Sequence, residues 1–596
     1  AMENKGLNIF NTSAVLASQD TSTDANFARI EGIIAHEYFH NWTGNRITCR
    51  DWFQLSLKEG LTVFRDQQFS GDMRSHAVQR IQDVLTLRAR QFREDNGPLA
   101  HPVQPDHFVE INNFYTATIY EKGAELIRML KTLVGDDDYR RALDLYFERH
   151  DGQAATIDDW LRVFEDTTGR DLGQFKRWYK QAGTPRLTVT DDFKDGTYTL
   201  HFKQETPPTP GQANKNPVVI PIALGLLNDN GDEVVPTQVL EMTEAEQSFQ
   251  FKGLSSKPVP SILRNFSAPV ILIRDSSAAE RAFLLAHDTD PFNRWEAGRA
   301  LAKDVLVAMI SDNAAPDPAF LQALSAMLRN IDLDPAFRAL AMRLPGQDDL
   351  AQTLFDAGIT PDPTAIFNGR EALADAMAQQ MQSDIDALAP SLEITAPFRP
   401  DAEQSGKRAL ALELLSLTSR LDGGAMAAGL YSSADNMTMK LGALANLLDA
   451  GRGVPELAEF HATWRGDALV IDKWFSLQVM HSAPDQTAHI VRNLTEHPDF
   501  NWKNPNRFRA VFGALLMNPA GFHDASGAGY DLLAEWLIRL DPVNPQTAAR
   551  MVTGFETWRR YDVDRQAMMR AALERIAATQ DLSRDVTEMV SRILGG

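Results

Sequence analysis

His36-Glu37-Tyr38-Phe39-His40, followed eighteen residues later by Glu59 in Leu57-Lys58-Glu59-Gly60, is the stretch on which the reading of this chain turns. Two histidines four apart share one face of an α-helix, one turn above the other. Neutral imidazoles at that spacing can both reach one Zn²⁺ at ~2.0–2.1 Å. Glu37, one step round the helix, can sit beside such a metal as a general base. A catalytic zinc needs a third protein ligand and an open position. Glu59 supplies the ligand if Asp51 to Phe69 forms a second amphipathic helix, folded back through the Gly44-Asn45 loop. Trp52, Leu55, Glu59, Thr62 and Val63 then lie near one stripe. Asp66, two turns on from Glu59, is a candidate acceptor for a ring N–H of a ligating histidine. A bare HExxH arises by chance in helices; the glutamate in a second helix is what raises the match to a zinc site. Asn41-Trp42-Thr43 matches a glycosylation sequon, but a sugar directly after the second ligand would obstruct that site.

Composition bounds the rest. The chain has 596 residues, too many for one core, so two to four domains are expected. Its 44% hydrophobic and 23% charged content is that of a globular protein. A formal charge of −21 argues against a general nucleic-acid binder, which needs a basic face. No apolar run approaches the length of a membrane-spanning helix, and no signal-peptide pattern opens the sequence. The single cysteine, Cys49, excludes an intrachain disulfide and fits a reducing, cytoplasmic setting. It reads as a buried structural thiol in the loop between the two helices.

Along the chain, residues 24–180 read as helical, with Asp72 to Glu94 one long periodic segment ended by Asn96-Gly97-Pro98. His101 and His107 read as loop or surface histidines. After Gly183-Thr184-Pro185 the period changes to alternation, as in Tyr198, Leu200 and Phe202. Asp195-Gly196 and Asn228-Asp229-Asn230-Gly231 signal turns, and about seven short strands predict a small β-sandwich over 184–275. From Ser276 onward, apolar helical stripes recur, for example Leu410 to Leu417 and Leu532 to Leu540. Paired helices stacked as a solenoid are the expected architecture there. The fold class expected is therefore multidomain and mainly α: a helical lobe over 1–183, the β-sandwich over 184–275 and an α-helical superhelix over 276–596.

HEYFHNWTGNR followed by LSLKEGLTVFRDQ resembles the zinc site of the aminopeptidase N (alanyl aminopeptidase) family of metallopeptidases, in its proteobacterial form. Ala1-Met2-Glu3-Asn4 is similar to the last four residues of that family's GAMEN motif. Asn112 to Tyr115 and Tyr120-Glu121-Lys122-Gly123 resemble the segment carrying its catalytic tyrosine. The resemblance implies a thermolysin-like catalytic lobe with one Zn²⁺ per chain on His36, His40 and Glu59, and with Glu37 as base. It implies that Tyr120, directly before Glu-Lys-Gly, stabilises the oxyanion, in preference to Tyr115. Glu3 would bind the substrate's α-ammonium, the backbone of Ala1 and Met2 would pair with the peptide, and Glu121 would border the pocket for its second residue. Residues 1–20 would form an edge strand and a loop. The activity implied is removal of the N-terminal residue from short peptides, with alanyl or broad specificity, by a cytoplasmic monomer that binds neither membrane nor nucleic acid. The family's N-terminal β-domain and the β-lobe of its catalytic domain precede the point where this sequence opens, so a fragment of a longer protein is expected. A zinc- or peptide-binding fragment without turnover is the alternative.

Overall fold

The computed structural model describes residues 1–595. The chain divides into two compact units, one made of Ala1–Val15 and Arg29–Gly298, the other of residues 16–28 and 299–595. No helix among the described residues is long and apolar enough to cross a membrane.

The first unit is built on α1 (Asp24–Phe39), of which it holds Arg29 onward, and α2 (Leu55–Met73). Residues 40–54 join them. Gly44, at φ +131°, makes the turn, and a Cβ there would stand 2.9 Å from His40 Nδ1. A two-residue strand, β1 (Thr48–Cys49), pairs in parallel with β2 (Ala154–Ala155). The Cys49 thiol donates to Gln54 O, and burial pushes its pKa up to about 12. The second helix begins later than its periodicity predicts. Asp51 caps a short 3-10 turn, Trp52–Gln54, so Trp52 lies outside the stripe and is exposed, while Leu55, Glu59 and Thr62 are buried.

The predicted single segment from Asp72 to Glu94 is broken. Asp72 and Met73 finish α2; Ser75 then caps α3 (His76–Thr86), which runs into a π-helical turn, Leu87–Phe92, and a last turn, α4 (Arg93–Asp95). The Ser75 hydroxyl, able to accept the Val78 N–H, starts a new helix where periodicity alone reads continuity. A second π-helical turn, Thr118–Lys122, leads into α5 (Gly123–Val134), which packs on α2. At the N-terminus the expected edge strand is reduced to one bridge, Met2 to Ile9, before a 3-10 turn at Thr12–Ala14.

Seven strands follow. β3 (Arg186–Lys194) and β4 (Thr197–Glu205) form a hairpin, flanked by β7 (Glu246–Lys252) and β9 (Ile271–Arg274) in a four-stranded sheet. β5 (Ile220–Leu227), buried along its whole length, pairs with β6 (Glu233–Met242) and β8 (Val259–Ile262) in a three-stranded sheet. Alternate residues such as Leu187, Val189, Leu200 and Phe202 enter a core that continues into the helices through Phe64, Leu130, Trp160 and Trp178. Polar anchors join the same parts: Arg80 forms a bidentate pair with Glu125 at 2.7 Å and donates to Asn265 O and Phe266 O. The helical residues after the sandwich belong to this unit as far as Gly298. Asn293 donates to Ser261 Oγ at 2.8 Å, and Arg88 pairs with Glu296 at 2.7 Å.

The second unit is helical, with helices such as Ala402–Asp422, Ala468–Met480 and Ala528–Leu540 placing their apolar stripes inward. Arg507 is buried there, bonded to Asp472 and to the Asp499 and Ala468 carbonyls, an anchor for the loop before its own helix.

Candidate metal centre

His36 lies in the last turn of α1, and His40 is the first residue beyond it, held in helical register by its N–H to His36 O at 3.2 Å. Their Nε2 atoms are 3.1 Å apart. Glu59 Oε2, reaching across from α2, is 3.5 Å from His36 Nε2 and 3.3 Å from His40 Nε2. Donors held at ~2.0–2.2 Å by one tetrahedral ion stand roughly 3.3–3.5 Å apart, so these three atoms fit three vertices around a cation such as Zn²⁺.

The other ring nitrogens agree. His40 Nδ1 lies 2.8 Å from Thr43 O, which can only accept, so Nδ1 carries the proton and Nε2 presents its lone pair. Thr62 Oγ1 lies 3.3 Å from the same Nδ1. His36 Nδ1 lies 2.7 Å from Asp66 Oδ2, the predicted acceptor. The field of the site favours positive charge: burial alone would lower the His36 pKa, but its hydrogen bonds to Asp66 and Glu59 override burial and raise it to about 10. Burial opposes ionisation of Glu59 as well, and the two histidines with Lys58 still hold it well below the usual carboxylate range.

A second histidine-rich group, His461, His497 and Asp499 in the helical unit, also brings its donor atoms within 4.8 Å of one another. There His461 Nε2 is bonded to Asp499 Oδ2 at 2.7 Å, and His497 Nδ1 accepts the Asp499 N–H at 3.2 Å.

Of the remaining predicted residues, Glu37, Glu3 and Tyr120 stand close to these donors. Glu37 is buried (6% exposed), and its carboxylate, with those of Glu3 and the His40 ring, forms a group whose polar atoms lie within 4.8 Å of one another. Burial raises the Glu37 pKa, partly offset by His36 and His40. Tyr120, half-buried, lies beside Glu59; burial first, then that carboxylate, raises its pKa and keeps the phenol protonated. The Tyr115 ring centroid is 6.4 Å from that of Tyr120. Glu121 turns to Arg90, 2.9 Å away, and burial pushes its carboxyl up to about 7. Ala1 and Met2 are exposed. His101 is bonded to Thr116 and Pro102, and His107 is an exposed partner of Asp106.

Sequence reading missed Lys58. Its ammonium bridges Glu3 Oε1 at 2.5 Å and Glu59 Oε1 at 2.6 Å. Its adjacency to Glu59 was a usable signal, but the contact to Glu3 spans 55 residues. Asn45, which donates to Glu3 O at 2.8 Å and ties the N-terminal segment to the α1–α2 loop, was missed for the same reason.

Comparison with known proteins matches the chain in three segments. Residues 1–179 match the peptidase family M1 domain, 183–275 a domain of unknown function (DUF3458) with an Ig-like fold, and 278–595 a domain of unknown function (DUF3458_C) with ARM repeats. The aminopeptidase N of Caulobacter vibrioides is 47% identical across 100% of this chain and 70% of its own length. The chain belongs to the aminopeptidase N family of M1 peptidases. Aminopeptidase N of Escherichia coli is 43% identical with the same coverage. A crystal structure of Legionella pneumophila aminopeptidase A in complex with aspartic acid superposes with a TM-score of 0.90 at 31% identity, over 99% of this chain and 68% of that one. The mainly helical fold, with a small Ig-like domain and a C-terminal ARM-repeat region, is that of this family.

Proposed function

We propose that this chain is a zinc-dependent aminopeptidase acting on short peptides with a free N-terminus, of alanyl or broad specificity. The observation that carries the reading is the convergence of His36 Nε2, His40 Nε2 and Glu59 Oε2 at 3.1–3.5 Å, with Glu37, Tyr120 and Glu3 around them. Zn²⁺ held by His36, His40 and Glu59 would supply Lewis acidity and lower the pKa of a coordinated water to ~7. Glu37 takes the proton from the attacking water and delivers it to the leaving amine; its raised pKa suits a group that must both accept and release. The Tyr120 phenol donates to the substrate oxygen on which charge develops. Glu3 takes the α-ammonium through a charge-assisted hydrogen bond, which sets the exopeptidase register, and the backbone of Ala1 and Met2 pairs with the peptide. Glu121, held by Arg90, borders the second-residue pocket.

Ala-p-nitroanilide and its N-acetylated form test the register. Loss of one charge-assisted bond predicts that acetylation lowers kcat/KM by roughly 10- to 150-fold. Equal cleavage of both would mean an endopeptidase, and no cleavage of either with zinc bound would mean a zinc- or peptide-binding scaffold.

The bond from His36 to Asp66 makes a separate prediction. Asp66→Asn should weaken Zn²⁺ binding by ~10–100-fold, because Asp66 orients the ring and raises its basicity. Competition with a fluorescent chelator measures this, and an unchanged affinity would refute the role.

A further inference from the structure

We infer that Ser56, Gly60 and Gly123 are positioning residues for Tyr120: a glycine-on-glycine crossing of α2 and α5, keyed by one hydroxyl, sets the phenol against the metal-ligand cluster. The inference rests on the reading of Tyr120 given above.

Gly60 is adjacent to Glu59 on α2, and Gly123 comes three residues after Tyr120. Both are buried in helical segments, where glycine is unfavourable relative to alanine, so a pair of them at one crossing needs a reason. The reason is distance. A Cβ on Gly60 would lie 2.8 Å from Gly123 C and 2.9 Å from Gly123 Cα. A Cβ on Gly123 would lie 2.2 Å from Ser56 Oγ and 3.2 Å from Gly60 Cα. The two backbones touch, so nothing between them can be compressed.

Tyr120 hangs from this contact. Ser56 Oγ donates to Ile119 O at 2.9 Å, the carbonyl just before Tyr120. One residue earlier, the Glu94 carboxylate accepts Thr118 N–H at 2.9 Å and the Thr118 hydroxyl at 2.5 Å. Both anchors hold the first two residues of the π-helical turn Thr118–Lys122, in which Gly123 N–H reaches back to Thr118 O. The extra residue makes the turn wider than that of a regular α-helix. Tyr120, inside the turn and directly after the two anchored residues, lies beside Glu59. Adding a methyl group at the crossing would push the turn, and the phenol with it, away from α2.

The test uses the full chain, Ala-p-nitroanilide kinetics and zinc content by mass spectrometry, with Tyr120→Phe as the reference. Gly123→Ala should lower kcat by about 10- to 100-fold, the cost of a misplacement near 1 Å, with KM and zinc stoichiometry unchanged. In the Tyr120→Phe background it should lower kcat no further, because its whole effect passes through the phenol. Ser56→Ala alone, which removes the bond to Ile119 O, should lower kcat by about tenfold and likewise cost nothing further in the Tyr120→Phe background. If Gly123→Ala does not fold, the Ser56→Ala protein carries the same cycle with Tyr120→Phe. An equal loss with and without the phenol, a fall in zinc content, or a wild-type rate for Ser56→Ala would overturn the inference. Tyr120→Phe at the wild-type rate would remove the role of Tyr120 itself, a failure distinguishable from additivity.

Discussion

Glu37→Gln lowers kcat by ~10³-fold or more while His36, His40 and Glu59 retain the metal; this is the largest effect on activity expected of this chain. General acid–base groups contribute about 10²–10⁴ in rate, and Glu37 serves as base and then acid, so the upper part of that range applies. Gln preserves the shape of the side chain, an important point at a position only 6% exposed between two helical turns. What it removes is the capacity to hold a proton. No direct contact joins Glu37 to the three converging donors in the way His36 Nε2, His40 Nε2 and Glu59 Oε2 join each other, so zinc content should stay at that of the wild type. Zinc by mass spectrometry and kcat on Ala-p-nitroanilide, measured on the same preparation, decide it. A loss under tenfold with full zinc would assign the proton transfer to another group; a loss of zinc would make Glu37 part of the metal shell.

Lys122→Met is expected to destabilise the first unit by about 3–5 kcal/mol, the range found when one partner of a buried ion pair is removed. Lys122 and Asp95 are each 1% exposed and 2.7 Å apart. Asp95 also accepts the Gly183 N–H at 2.7 Å and the Thr184 hydroxyl at 3.1 Å, while Lys122 donates to Gly183 O at 3.1 Å. The pair thus ties the turn that carries Tyr120 to the segment that leads into the β-sandwich. Methionine fills the space of the lysine stem but leaves a carboxylate buried without its cation. Asp95→Asn in the same chain should recover more than half of the loss, since the amide oxygen can still accept from Gly183 and no charge is stranded. The first transition in urea unfolding reports both. If Lys122→Met shifts it by less than about 1 kcal/mol, the pair is not a structural anchor.

The legible part of this molecule was the part governed by local periodicity. Four residues in a helix make one turn, so His36 and His40 had to share a face, and the alternation from Leu187 to Phe202 had to give strands with one face buried. Glu59 and Asp66 could be placed because they repeat at helical spacing on one element, α2. Periodicity failed where a short-range polar bond competes with it. Asp51 drew Trp52 into a 3-10 turn, and Ser75 restarted a helix that looked continuous. It was silent wherever partners are distant in sequence. Lys58 between Glu3 and Glu59, Asp95 beneath Lys122, and Gly60 against Gly123 are each set by how helices cross. Which residues can bind a metal was written in the order of amino acids, because helical geometry is a property of the chain. Where the phenol and the ammonium stand relative to those donors was decided by tertiary packing, because backbone contact and buried charge pairing exist only once separate segments have closed on each other.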